Sequence, residues 1–125
     1  MIDTDPITRG IAAHAKWKYY LRQAIKNGES EWTVPVVKVD DQCEFGRWLR
    51  SIPPAERVGE HWKTVKTRHR VFHEAAAHVL DLALARRQEE AEAAIALGSP
   101  FAEASKQLTL AMMAWKKEDD GPVAV

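Results

Sequence analysis

The sequence predicts an all-α protein, built as an antiparallel four-helix bundle with three substantial helices and one short one. Apolar residues recur at alternating steps of three and four through most of the 125 residues, which is the periodicity of helices with one buried face. Helix-ending residues interrupt this pattern at Asn27-Gly28, Pro53-Pro54 and Gly98-Ser99-Pro100. The length suits one core, so we expect a single domain over residues 1–125, folded from about 6 to 117 with a flexible tail at 118–125.

The first helix is predicted to run from about Pro6 to Asn27. Asp5 and Pro6 form a start signal, because proline fits the first turn of a helix, and Gly28 is typical of a left-handed helix end. One face carries apolar residues at helical spacing with a histidine among them: Ile7, Ile11, His14, Leu21 and Ile25. His14 is therefore expected to point into the core.

The second helix is predicted to be short and to carry the cysteine. Before it, residues 28–39 mix β-branched residues with a proline, which favours an ordered connection, strand-like in part, over a helix. Asp40 and Asp41 are expected to cap the helix, since their carboxylates accept hydrogen bonds from the free N–H groups of its first turn. The helix is expected to end near Arg50, ahead of the two prolines.

The third and fourth helices supply most of the predicted core. The third is expected from about Ala55 to Leu97, and its buried face is Trp62, Val65, His69, Phe72, Ala76, Val79 and Ala83. The fourth begins at Pro100, capped by Ser99, and its buried face is Phe101, Ala104, Leu108, Met112 and Trp115. The third helix carries further apolar residues on other sides, so we expect a homodimer that covers Leu80, Leu82 and Leu84.

Composition argues against several classes of function. The 18 basic and 18 acidic residues balance, and no face gathers Lys and Arg between aromatics, so we expect no nucleic-acid partner. No apolar run reaches the length of a membrane span and the N-terminus lacks a signal-peptide pattern, so we expect a cytoplasmic protein without a membrane partner. The single cysteine has no partner for an internal disulfide, which leaves packing, a reactive thiol or metal ligation.

The histidines and the cysteine predict a metal site. His69 and His73 are four residues apart, so both imidazoles lie on one helical face within reach of one ion, although such a pair alone is a weak and often incidental signal. His14 and Cys43 strengthen it, because several semi-polar groups in one small core usually share a partner. Three imidazole nitrogens and one thiolate form a complete tetrahedral set for Zn²⁺, with no open position for a catalytic water. The helix N-terminus also favours the thiolate of Cys43.

Residues near these motifs are assigned structural roles. Phe45 and Trp48 are expected to be core residues. Gly46 between them indicates close approach of another helix, since glycine inside a helix costs about 0.5–1 kcal/mol relative to alanine. His61 is placed at the surface or rim, and His78 lies at a poor angle for the same ion. Because four protein ligands leave no position for a catalytic water, we predict no catalytic residues and no enzyme activity.

The joint pattern resembles the chemoreceptor zinc-binding (CZB) domain family. The family signature is a lone upstream His, a Cys-x-Phe/Leu-Gly-x-Trp motif and a downstream His-x-x-x-His. These match His14, the segment 43–48 (CEFGRW) and the pair at 69 and 73. The resemblance extends from about Ile7 to Trp115. It implies a helical-bundle domain that holds one Zn²⁺ through His14, Cys43, His69 and His73.

The resemblance also implies a sensory or regulatory role. Members are attached to chemoreceptors or diguanylate cyclases, often as dimers, and are thought to signal by zinc occupancy or by oxidation of the zinc-bound cysteine. The present sequence shows no GGDEF-type segment and no receptor coiled coil, so the output is expected outside it or in trans. Two alternatives stay open: an adaptor bundle that binds partners through exposed aromatics such as Trp32, and a di-metal enzyme, for which Glu60-His61 lacks matching Glu-x-x-His partners.

Overall fold

The computed structural model describes residues 5–41, 43–57 and 59–120, and every regular element within these ranges is helical. They hold seven α-helices and one 3-10 turn: α1 (Asp5–Ala15), α2 (Trp17–Asn27), α3 (Val34–Lys38), α4 (Glu44–Ser51), the turn Pro54–Glu56, α5 (Glu60–Leu84), α6 (Gln88–Ile95) and α7 (Pro100–Asp120). The prediction of an all-α protein is therefore confirmed. No helix in the described part of the chain has the length and apolar character needed to cross a membrane.

The first predicted helix is in fact two helices that meet at Lys16. The Lys16 N–H donates to the Ala13 carbonyl at 3.3 Å, three residues back, so the chain tightens for one residue before α2 begins. No glycine or proline marks this break, and the predicted continuity from 6 to 27 is wrong at this point. The predicted end is confirmed, because Gly28 has φ 70° and its N–H donates to the Ala24 carbonyl at 2.8 Å.

A short helix, α3, occupies the segment that was expected to be a partly strand-like connection. Pro35 lies at its start, where a proline leaves no hydrogen bond unmade, and Val37 is buried. Valine disfavours a helix locally, but α3 packs against α5, and this tertiary contact outweighs the weak propensity. The strand-like prediction is therefore wrong, and the correction matters because α3 reaches the functional site.

The third predicted helix is divided into α5 and α6. After α5, Arg86 adopts the left-handed region at φ 60°, and the Arg87 N–H donates back to the Leu82 carbonyl at 3.0 Å. This is the hydrogen bond of a Schellman helix end, in which glycine is the usual left-handed residue. An arginine there costs about 1–2 kcal/mol and carries no sequence signal, so the predicted continuous helix is wrong at this point. At the other end, α5 begins at Glu60 instead of residue 55.

The core is arranged around α5, which packs against α2, α3, α6 and α7, while α1 packs against α4 and α7. The predicted buried face of α7 is confirmed: Phe101, Ala104, Leu108, Met112 and Trp115. The predicted face of α5 is also buried from Val65 to Ala83, with Trp62 half-buried.

The structure bears on two expectations about exposed segments. Leu80 and Leu82 are only 1 % and 8 % exposed, so these two residues do not form the surface of the predicted homodimer, which stays a prediction. The helix α7 continues through Asp120, so residues 118–120 are helical where a flexible tail was expected. Residues 121–125 of that predicted tail lie outside the described ranges.

Candidate metal centre

His14 lies near the end of α1 with its ring buried. Its Nδ1 atom is 2.7 Å from the carbonyl oxygen of Gly10, one turn earlier, and a carbonyl can only accept, so we assign the ring proton to Nδ1. Nε2 then presents a lone pair to the core. Gly10 also permits the placement of α1, because a Cβ there would lie 2.6 Å from Cδ1 of Phe45. The absent side chain lets α1 approach α4, and so brings the ring of His14 to the start of α4.

His69 and His73 project from one face of α5, as predicted, and both rings are buried. Their Nε2 atoms are 3.0 Å apart. Nδ1 of His73 is 2.9 Å from the carbonyl oxygen of Val37, so this ring also carries its proton on Nδ1 and presents Nε2. Nδ1 of His69 is buried without a hydrogen-bond partner. The helix α3, which the sequence did not reveal, therefore orients one of the two histidines.

Cys43 is the N-cap residue of α4, and its sulfur accepts a hydrogen bond from the Gly46 N–H at 3.3 Å. The predicted caps, Asp40 and Asp41, precede this position, so the cap prediction is wrong. Gly46 is required for this geometry, because a Cβ there would lie 1.8 Å from the carbonyl oxygen of Asp40. The predicted close approach is real, but the neighbour is the turn before α4 and not another helix.

The four predicted ligand residues meet at one point, where one donor atom from each lies within 4.8 Å of the others. The Nε2 atoms are separated by 3.0, 3.1 and 3.4 Å for the pairs His69–His73, His14–His69 and His14–His73. The sulfur of Cys43 lies 3.3 Å from Nε2 of His69 and 3.6 Å from that of His73. A tetrahedral Zn²⁺ with usual bond lengths separates nitrogen donors by about 3.3 Å and nitrogen from sulfur by about 3.6 Å. The cluster therefore fits zinc in donor chemistry and in spacing.

Burial keeps the cluster uncharged. Desolvation lowers the pKa of His14 to about 4 and that of His69 to about 2, and it also lowers the pKa of His73. It raises the pKa of the Cys43 thiol, although hydrogen bonds from backbone N–H groups of α4 act in the opposite direction. The helix terminus thus favours the thiolate as predicted, but burial outweighs this contribution. Zinc must displace the thiol proton, so its binding weakens as the pH falls.

A carboxylate and two carbonyls complete the surroundings of the cluster. Oδ2 of Asp40 is 2.9 Å from Nζ of Lys66 and 3.9 Å from Nδ1 of His69. Sequence reasoning predicted Asp40 only as a cap, and it missed the carbonyls of Gly10 and Val37. The four-residue spacing between Gly10 and His14 is the one sequence signal that pointed to either carbonyl.

The other histidines lie outside the cluster, as predicted. His61 pairs with Glu118 on α7, and His78 is exposed. Phe45 is buried, and Trp48 is half-buried against Trp115. Within the ranges that the structure describes, the cluster is the single group of three or more His, Cys, Asp or Glu donors, and it contains no carboxylate. A carboxylate-bridged di-metal centre is therefore not formed by these residues.

These features define a helical metal-binding module whose four protein donors leave no coordination position open. The chain matches the family model of the chemoreceptor zinc-binding domain over residues 14–80, more than half of its length. It therefore belongs to the CZB family, a sensory zinc-binding family and not a catalytic one. The matched range includes all four donors of the cluster. No curated protein and no solved structure matches the chain.

Zinc is thus the cofactor that the family and the donor set both indicate. When bound by four protein ligands, the ion supplies a cross-link and no open site for substrate. The protein orients the ligand atoms. The carbonyls of Gly10 and Val37 hold the tautomers of His14 and His73, and the Gly46 N–H in the first turn of α4 donates a hydrogen bond to the sulfur of Cys43.

Proposed function

We propose that this chain is a regulatory module in which zinc occupancy of the cluster, or oxidation of the Cys43 sulfur, changes the packing of its helices. The proposed output is a diguanylate cyclase or a chemotaxis-type signalling protein, on another segment or in trans. One observation carries the proposal: the four donors come from three helices, with His14 on α1, Cys43 at the start of α4, and His69 and His73 on α5. A single ion would join all three helices.

Loss of the ion would act first on the short elements around it. The helix α4 has 8 residues and α3 has 5, and helices of this length are not stable by themselves. Without a cation, the three buried Nε2 atoms lie 3.0 to 3.4 Å apart with at most one ring proton among them, that of His69, so lone pairs still face one another, which is costly in a core of low polarity. Loosening of α3 and α4 from α5, and of the end of α1 that carries His14, is therefore the expected response, and such a local rearrangement is what a switch requires.

Oxidation of Cys43 is the second proposed trigger. The cysteine is partly exposed, and a small cavity between α1 and α4 reaches it, lined in part by Arg9, His14 and Glu44. A two-electron oxidant such as hypochlorous acid converts the thiolate to a sulfenic acid, which is a poorer zinc ligand. Both triggers would therefore have the same consequence, which is loss of the ion.

We further propose that the chain forms a homodimer. Within each copy, the helical segments are proposed to pack antiparallel. Leu110 and Met113 support the dimer, because they lie three residues apart on α7 and are 52 % and 54 % exposed. Light scattering should then show a dimer that Leu110→Lys dissociates. A wild-type monomer at high concentration would contradict this assembly.

The adaptor alternative named Trp32 as an exposed aromatic, and the partial burial of this residue does not support that role. Trp32 is half-buried, with its ring 5.2 Å from that of Trp17 and 4.8 Å from that of Tyr20 between centroids. It belongs to an aromatic cluster beside α2 and is not a free binding side chain.

The experiment for the regulatory role measures the zinc content of the protein, the hydrogen-exchange protection of its helices and the signalling output in cells. Protein purified without chelator should contain about one zinc per chain. Hydrogen exchange should then show α1, α3 and α4 more protected in the zinc-loaded chain than after chelation, with little change in α7. In cells, Cys43→Ala should abolish the zinc-dependent change in cyclic di-GMP or swimming, and His78→Ala should not. Zinc binding without any change in exchange or output would refute the regulatory role and leave the metal site intact.

A further inference from the structure

The three histidines of the cluster differ in what their second ring nitrogen contacts. His14 and His73 each hold Nδ1–H on a backbone carbonyl, at 2.7 and 2.9 Å. Nδ1 of His69 has no such acceptor, and it is the one buried side-chain nitrogen or oxygen without a hydrogen-bond partner in the described part of the chain. A ligating histidine normally donates this second N–H to a carboxylate or a carbonyl. One outer contact of the site is therefore unaccounted for.

Zinc binding makes that contact necessary. A neutral imidazole has one proton, and a ring that binds zinc through Nε2 carries it on Nδ1. Without zinc, His69 is the ring whose proton can reside on Nε2, because carbonyls hold the protons of His14 and His73 on Nδ1. Its Nε2–H can then donate to either neighbouring Nε2, at 3.0 or 3.1 Å. Binding thus moves the His69 proton from Nε2 to Nδ1 and leaves a buried N–H that needs an acceptor.

Asp40 is placed to accept this N–H. Its Oδ2 atom is 3.9 Å from Nδ1 of His69, about 1 Å longer than an N–H···O hydrogen bond. The side chain is only 14 % exposed, so the carboxylate lies in a partly desolvated setting. In the structure the same oxygen accepts a hydrogen bond from Nζ of Lys66 at 2.9 Å. Lys66 and His69 therefore face one carboxylate oxygen.

We infer that Asp40 is the outer-sphere acceptor of His69 and that Lys66 competes for the same oxygen, so that these two residues set how tightly the site holds Zn²⁺. The inference rests on the zinc site and not on the proposed output. Asp40 acts as a positioning residue, because its carboxylate orients the His69 ring and offsets the positive charge left on zinc by three neutral imidazoles and one thiolate. Lys66 draws the carboxylate away and adds positive charge, which opposes zinc binding.

The experiment measures the zinc dissociation constant of the full chain by competition with a chromogenic chelator. Asp40→Ala should weaken zinc binding by about 10- to 100-fold, the range for outer-shell partners, and Lys66→Met should strengthen it. Matched controls are Asp41→Ala and Lys63→Met, which make the same charge changes nearby. Asp41 pairs with Arg50. Both controls should change the constant by less than about threefold.

Two further measurements and one rescue variant separate positioning from a structural role. The melting temperature of the zinc-free chain should fall no more for Asp40→Ala than for Asp41→Ala. In ¹H–¹⁵N spectra of the zinc-loaded protein, the Nδ1 proton of His69 should be protected from exchange in the wild type and lose that protection in Asp40→Ala. Asp40→Asn keeps an acceptor oxygen and should recover part of the affinity.

The results that would overturn the inference are distinct from failure of the metal site. Equal zinc affinity of Asp40→Ala and Asp41→Ala would overturn it, as would weaker binding by Lys66→Met. A wild-type chain that bound no zinc after reconstitution would refute the metal assignment, and with it this inference.

Discussion

Two regions of the molecule are stabilised in different ways. In the apolar region, α5, α6 and α7 pack through side chains such as Phe72, Leu108 and Met112, all of which are fully buried. In the site region, α1, α3 and α4 meet α5 around His14, Cys43, His69 and His73. Apolar burial stabilises the first region whether or not an ion is bound. The second places four polar side chains together, so its stability depends on what they bind.

The helix α5 belongs to both regions. Its residues Phe72 and His73 are adjacent in sequence, yet one packs against Phe101 of α7 and the other contacts the carbonyl of Val37 on α3. Zinc should therefore control the stability of the site region, while the apolar region keeps α5 in place with or without the ion. Four predictions test this division, and each has a matched control.

The largest effect is expected from a cavity in the apolar region. Leu108→Ala should lower the free energy of unfolding by about 2–5 kcal/mol, because the vacated volume is fully enclosed. The loss should be equal with and without zinc, as measured by denaturant unfolding of both forms. Leu97→Ala, at a position that is 93 % exposed, should change it by less than about 0.5 kcal/mol. A loss confined to the zinc-loaded form would contradict the division.

Substitution of a candidate zinc ligand should instead destabilise the zinc-loaded protein more than the zinc-free protein. His73→Ala should weaken zinc binding by more than about 100-fold, beyond the effect of an outer-shell residue, which corresponds to about 3 kcal/mol of zinc-dependent stability. The zinc-free protein should be affected much less. His78→Ala, on the exposed side of the same helix, is the control and should retain full affinity. Equal destabilisation in both forms would mean that His73 only packs.

Gly46→Ala tests whether the turn before α4 positions the sulfur of Cys43. The added Cβ would meet the Asp40 carbonyl oxygen at 1.8 Å, so the turn before α4 must move, at a cost of about 1–3 kcal/mol. Because Cys43 lies in that turn, zinc affinity should fall as well. Thermal melting and chelator competition measure the two effects. Gly59→Ala is the control, since a Cβ there meets nothing within 4 Å. An unchanged affinity in Gly46→Ala would show that the turn does not position the sulfur.

The last prediction concerns pH in the zinc-free protein. The pKa of His14 is lowered from 6.5 to about 4, so the unfolded state binds more protons between these values. Stability should therefore fall as the pH drops from 6.5 towards 4, by about 1.4 kcal/mol per pH unit for each histidine shifted in this way. Urea unfolding of the chelated protein at pH 7.5 and 5 measures the slope, which His14→Ala should reduce and His78→Ala should not. A stability independent of pH would mean that the rings are not buried as described.

The candidate metal ligands were more predictable than the groups that orient them. His14, Cys43, His69 and His73 could be predicted because each side chain has a donor atom and the helical period places it on an inner face. The carbonyl of Val37 could not, because every residue has a carbonyl and only the packing of α3 on α5 brings this one to the site. Asp40 was expected at the site region but in another role, since nothing in its position along the chain shows that it faces Lys66 and His69.

The helix breaks also could not be predicted from the sequence. The breaks at Lys16 and Arg86 carry neither glycine nor proline, so local sequence predicts continuity through both. At Arg86 the chain accepts a left-handed residue, and the local cost is offset by the packing of α5 and α6 on their neighbours. Local propensity is worth tenths of a kcal/mol per residue, and a buried contact is worth more.

Periodicity and side-chain chemistry are properties of the chain, so the helical class, the buried faces of α5 and α7 and the four candidate donor residues could be predicted from the amino-acid sequence. The sequence did not reveal where the helices break, that the carbonyl of Val37 holds the tautomer of His73, or that Asp40 lies beside His69 and Lys66. The contacts of Val37 and Asp40 join segments that are distant in sequence, and their short distances exist only once the core has packed.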